Sequence, residues 1–197
     1  MFTQFPLFRS HLDLAHHYWT TLVHFGDTVI DATCGNGHDT LKLAQLALDD
    51  NQGLVIGIDL QKQSLDATKS RLMEQLSPAQ WQRVQLICSC HTSFPELPVQ
   101  SVRLIVYNLG YLPKGDKSKT TVVKTTIESL QAAFPLIMPG GVICITCYPG
   151  HEEGEREEKA VLDFVQNLDP HEWCCTYQQW VNRQKAPGLL LIQRRIT

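Results

Sequence analysis

The chain has 197 residues, 43% of them apolar and 19% charged, with a formal net charge of −3 at pH 7. That length fits one domain with a sheet buried between helical layers, and no apolar run approaches the ~18 residues of a membrane-spanning helix, which excludes a membrane-embedded class. The negative balance excludes binding of nucleic acid through an overall basic field, so any RNA contact must come from local positive surface.

The N-terminus has neither a basic lead nor an apolar core of the kind that directs secretion, and the seven cysteines, an odd number, lie mostly in apolar runs. They read as reduced thiols of a cytoplasmic protein. The spacing then predicts a helix over 10–25 and a short apolar strand over 29–33 that runs through Asp31 into Ala32-Thr33-Cys34-Gly35-Asn36-Gly37, followed by a helix over 38–48. Gly35 and Gly37 remove the Cβ atoms that would keep a ligand from the backbone, and they permit positive φ. A dinucleotide fold would carry a third Gly or Ala at the helix start and rest a pyrophosphate there. Here His38-Asp39-Thr40 stand instead, and an anion would meet Asp39. Asp31, four residues before Gly35, suits a cofactor with a cationic amino-acid end, a description that S-adenosylmethionine fits.

A second strand over 54–58 ends in Asp59, 22 residues after Gly37, close to the spacing at which an acid receives ribose hydroxyls. Gln61 would sit by the adenine or ribose. The alternative for Asp59 is an N-cap of the next helix, over 62–76. A strand over 84–88 precedes Cys90-His91, and a fourth over 101–107 leads into Asn108-Leu109-Gly110-Tyr111-Leu112-Pro113. Carboxyl ends of strands are where ligands bind in such sheets. An Asn three residues before a Tyr resembles the Asn-Pro-Pro-Tyr loop of amine-directed methyltransferases, in which the Asn oxygen accepts from the acceptor NH₂ and the ring stacks on a base. Leu109 and Gly110 replace the prolines and loosen the loop, and an ordinary turn is the alternative. Lys114, Lys117 and Lys119 extend it, as a phosphate attractor or as solvated surface.

A helix over about 120–136 follows, and Pro139-Gly140-Gly141 turns the chain into a fifth strand over 142–147. Cys144 and Cys147 on that strand point to opposite faces, so no metal site is expected. Next come Tyr148 and His151, the latter a proton acceptor or a plain loop residue. A helix over 153–168 opens with an acidic turn, and strands over 173–181 and 189–194 form an antiparallel hairpin near a second basic cluster of Arg183, Lys185, Arg194 and Arg195. Alternating helices and strands predict an α/β fold with a mostly parallel seven-stranded sheet, helices on both faces and a C-terminal antiparallel hairpin.

The run from Asp31 to Thr40, then Asn108 to Pro113 with Gly115-Asp116-Lys117, then Tyr148-x-Gly150-His151 with Gly154 and Glu157, resembles the MnmM (YtqB-like) methyltransferases, a family often described as rRNA methylases. The resemblance covers nearly the whole chain. It implies a class I Rossmann-like methyltransferase fold in one domain over 1–197, with S-adenosylmethionine as cofactor. The implied reaction methylates the aminomethyl group of 5-aminomethyl-2-thiouridine at the tRNA wobble position, with the tRNA anticodon region as partner. Asp31, Asn36, Gly37, His38 and Asp39 would surround the methionine end, with Cys34, Gly35 and Thr40 completing the loop. Asp59 and Gln61 would take the ribose and adenine, and Cys90 and His91 the adenine edge. Asn108, which also borders the cofactor, and Tyr111 would position the acceptor amine, with Tyr148 and His151 next in line, and Leu109, Gly110, Lys114, Asp116 and Lys117 would contact the substrate. Lys114 departs from the family's usual glycine. The alternatives are an rRNA or small-molecule amine methyltransferase, an NAD-dependent oxidoreductase and a non-catalytic RNA-binding module; the oligomeric state stays open between monomer and homodimer.

Overall fold

A computed structural model describes residues 10–110 and 122–196. Strands β1 (Thr28–Asp31), β2 (Leu54–Asp59), β3 (Val84–Cys88), β4 (Val102–Asn108), β5 (Ile137–Cys147), β6 (Trp173–Gln178) and β7 (Gly188–Arg194) form one sheet in the order β3-β2-β1-β4-β5-β7-β6. The first five are parallel, and β7 runs antiparallel to both β5 and β6. This is the predicted arrangement, with the hairpin's second strand next to β5.

Both faces of the sheet are covered, which explains why its strands read as continuous apolar runs. Val29, Val55, Leu104, Val106 and Cys144 pack with Trp19 of α1 (His11–Leu22), Leu43 of α2 (His38–Ala47) and Leu72 of α3 (Lys62–Gln75). After a short α4 (Pro78–Trp81), α5 (Val123–Ala133) and α6 (Glu152–Val165) cover the other face, where Leu130 and Val161 meet Ile30, Ile56, Ile105, Tyr107, Ile145 and Cys147. Cys144 and Cys147 therefore lie in different cores. None of the described helices is long and apolar enough to cross a membrane.

Two expectations are corrected. The short α4 was not foreseen; Ser77 and Gln80 form a capping box around it. Pro139-Gly140-Gly141 does not precede β5 but bulges within it, because Val102 pairs with Ile137 while Leu104 pairs with Val142. Gly140 takes up the bend at φ +76°. From β1 the chain winds outward through β2 and β3, then returns to β4 on the other side, so a crevice opens at the carboxyl ends of β1 and β4.

Candidate active site

The glycine loop fills that crevice. Gly35 has φ +50° and Gly37 φ +76°, the left-handed values expected. A Cβ on Gly37 would lie 2.8 Å from the Thr68 Cα, so only glycine lets α3 pack directly on the loop. From α3, Thr68 Oγ1 donates to the Gly35 carbonyl at 2.9 Å and Arg71 Nε to the Asn36 carbonyl at 2.8 Å. The Asp59 carboxylate accepts the Gly35 N–H at 2.9 Å and the Gln61 N–H at 2.8 Å. It thus ties the loop to the start of α3, and each oxygen keeps a lone pair for a ligand hydroxyl.

Beneath the loop, Asp31 is fully buried; its oxygens accept from Thr40 Oγ1 at 2.6 Å and from the Thr33 N–H at 3.3 Å. Cys34 and Thr40 are buried with it. These three side chains support the loop from below, whereas Asn36 and His38 are exposed on it. Burial first, then the neighbouring Asp39, push the Asp31 carboxyl up to about 7, against the pull of the Thr40 and Thr33 hydrogen bonds. The native state therefore holds this proton more tightly than the unfolded chain. Its contribution to stability is full below the unfolded value of about 4 and is lost as pH rises to about 7.

A cation bound beside Asp31 reverses that burden. Binding of S-adenosylmethionine is expected to release a proton and to tighten by about tenfold between about pH 6 and pH 8. Calorimetry in buffers of different ionisation enthalpy checks this, and Asp31→Asn should abolish the effect. Equal affinity at both pH values with no buffer dependence would contradict it.

At the end of β4, the Asn108 N–H donates to Thr33 Oγ1 at 2.7 Å, which joins the two strand ends. Its side-chain Nδ2 donates to Asp39 Oδ2 at 2.8 Å, and Asp39 Oδ1 lies 2.7 Å from His16 Nε2. On the other side, the Tyr148 hydroxyl lies 3.4 Å from Asn108 Oδ1 and 3.1 Å from His11 Nε2. The carboxylate of Asp39 accepts only, so the Asn108 amide must turn its nitrogen to Asp39 and its oxygen toward Tyr148. The sequence missed His11, His16 and Thr33. Two histidines five apart in a helix of ordinary amphipathic pattern carry no local signal that the helix lies over strand ends.

Other readings change. The His91 ring is buried against Tyr107, with ring centroids 6.1 Å apart, and its carbonyl accepts from Ser129, so it turns inward and leaves only the half-buried Cys90 for an adenine edge. Leu109 is a core side chain, leaving only its backbone for substrate, while Gly110 follows at φ +143° near the Tyr148 side chain. His151 caps α6, its Nδ1 accepting from the Gly154 N–H at 3.0 Å, which commits the nitrogen that a proton acceptor needs. The second basic cluster is split. Lys185 sits at the catalytic edge and pairs with Glu155 at 2.7 Å, whereas Arg194 lies at the far end of β7 with Glu172. Tyr111, Lys114, Asp116 and Lys117 lie outside the described residues.

With Asp39 in the first turn of α2, a dinucleotide's pyrophosphate would meet a carboxylate, which removes the nicotinamide alternative. Asp31, Asp39 and Asp59 instead set three carboxyl groups around a glycine cradle, an arrangement that favours a cationic ligand over an anionic one. The fold and the loop define an S-adenosylmethionine-dependent methyltransferase. The sequence matches the family described as "Putative rRNA methylase" over residues 55–194, and the chain belongs to that family. It is 37% identical over 188 residues to the chloroplastic tRNA (mnm(5)s(2)U34)-methyltransferase of Arabidopsis thaliana, covering 93% of this chain and 69% of that protein. A crystal structure from Clostridium thermocellum, described as a "putative rRNA-methylase", superposes with a TM-score of 0.86 at 34% identity, covering 94% of this chain and 98% of that one. A protein from Streptococcus mutans described as "a putative methyltransferase", in complex with SAH, superposes with a TM-score of 0.81 at 30% identity and the same coverage.

Proposed function

We propose that this chain, as one domain over 1–197 acting in the cytoplasm, methylates the aminomethyl group of 5-aminomethyl-2-thiouridine at the wobble position of tRNA. The observation that carries the reading is the fixed direction of the Asn108 amide, whose oxygen is offered at the carboxyl end of β4 beside the cofactor loop. An amine N–H needs such an acceptor to aim its lone pair. S-adenosylmethionine supplies, when bound, a methyl group activated by the sulfonium. Asp59 and the Gly35–Gly37 cradle would hold it, with Asp31 and Asp39 matching its positive charges. The protein then contributes alignment of nitrogen and methyl carbon, worth several orders of magnitude in rate. The substrate named for the Arabidopsis thaliana relative supports a tRNA wobble uridine.

The family description favours ribosomal RNA as a second reading. Labelled methyl transfer to tRNA bearing the aminomethyl precursor, unmodified tRNA, ribosomal RNA and a free alkylamine separates these. The proposal expects label in the precursor tRNA alone. Label in ribosomal RNA alone, or in the free amine alone, would overturn it.

A further inference from the structure

The site contains a closed ring of side chains that begins and ends on α1. It runs from His16 to Asp39 on α2, to Asn108 at the end of β4, to Tyr148 after β5 and back to His11, with steps of 2.7, 2.8, 3.4 and 3.1 Å. The His11 and Tyr148 rings also meet edge to face at 5.3 Å. Such a ring does more than hold a helix, because its hydroxyl has a choice of acceptor. Tyr148 carries one proton and faces both Asn108 Oδ1 and His11 Nε2.

An alkylammonium loses its proton only near pH ~10 in water, so at pH 7 the enzyme must remove it before the nitrogen can attack. We propose that His11, acting through the Tyr148 hydroxyl, takes that proton, and that His16 and Asp39 fix the Asn108 amide on the opposite side of the ring. This rests on the amine-methylation reading above. The ammonium N–H donates toward Asn108 Oδ1 and a second N–H passes its proton to the Tyr148 oxygen as the Tyr148 proton moves to His11 Nε2. The amine keeps the freed electron pair for the methyl carbon, and His11 later returns its proton to solvent. Tyr148 is thereby the relay that touches the amine, and His11 the base that acts through it.

The electrostatics agree with this direction. Burial lowers the His11 pKa, which keeps the ring neutral and open to a proton but makes it a weaker base, and Asp39 and Asp13 offset that by favouring the imidazolium once formed. Burial raises the Tyr148 pKa, with Asp39 adding to it, so the hydroxyl hands a proton on rather than resting as an anion. Among the described residues, the titratable groups facing His11 are Asp13 on its own helix, Asp39 on α2 and Tyr148 after β5. His151 has its Nδ1 committed to the α6 cap and does not take this role.

The test compares wild type, His11→Gln and Tyr148→Phe in single-turnover methyl transfer from about pH 6 to about pH 10, with cofactor affinity by calorimetry and the His11 ring followed by NMR titration. Glutamine keeps a hydrogen bond to Tyr148 but accepts no proton. His11→Gln should be about 1,000-fold slower at pH 7, gain about tenfold per pH unit, and approach wild type near pH ~10, where the amine ionises unaided. Cofactor affinity should be unchanged, and the His11 titration should lie below its free value and move in Tyr148→Phe. A His11→Gln rate lowered equally at every pH, or not at all, would overturn the relay, as would a His11 titration indifferent to Tyr148. A wild-type enzyme that methylates a different amine and not this RNA overturns the substrate assignment instead, and the same pH profile on that amine then judges the relay.

Discussion

Asn108→Ala should slow methyl transfer by about 100-fold or more while S-adenosylmethionine affinity stays within a few-fold of wild type. The Asn108 side chain is held on one side by Asp39 at 2.8 Å, so its oxygen occupies a fixed point at the strand end. Its backbone is separately tied to Thr33 and survives the substitution. What is lost is the acceptor that orients the amine, and a displacement of ~1 Å between reacting atoms costs about two orders of magnitude. Single-turnover kinetics isolate this step from product release. A wild-type chemical step in Asn108→Ala, with cofactor bound normally, would mean that the amine is held by other residues.

The second large effect falls on binding. Asp59→Ala should weaken S-adenosylmethionine by about 100-fold or more, because two charge-assisted hydrogen bonds to ribose hydroxyls are each worth about 1.5–3 kcal/mol and each 1.4 kcal/mol is tenfold. The structure adds a reason. Asp59 also receives the Gly35 and Gln61 N–H groups, so alanine loosens the cradle as well as removing the ligand's partner. Asp59→Asn keeps one acceptor oxygen and should fall between alanine and wild type. Calorimetric titration of the three proteins checks the order, and an unchanged dissociation constant for Asp59→Ala would place the ribose elsewhere.

The parts of this site visible in the sequence are those with a strong local signal. Gly35 and Gly37 announce a positive-φ turn, Asp59 stands at a strand end at nucleotide spacing, and Asn108 follows an apolar run. Local pattern also gave the alternation of strands and helices. What it could not give was anything decided by packing between distant segments. His11 and His16 become part of the site only because α1 docks on the face of the sheet that carries Asp39, Asn108 and Tyr148. His91 and Leu109 looked available because they follow strands, yet the core claims both side chains. Arg194 and Lys185 are near in sequence but lie at opposite ends of a seven-residue strand, ~20 Å apart. A turn of Pro and Gly inside β5 was indistinguishable from a turn before it, because a bulge uses the same residues.

Placement of a methyl group on the wobble-uridine amine of tRNA is tested by nucleoside mass spectrometry of tRNA from cells lacking this protein. The expected result is loss of 5-methylaminomethyl-2-thiouridine and accumulation of its 5-aminomethyl precursor, both reversed by wild type but not by the Asn108→Ala variant. A normal level of the methylated nucleoside with no accumulated precursor would contradict it.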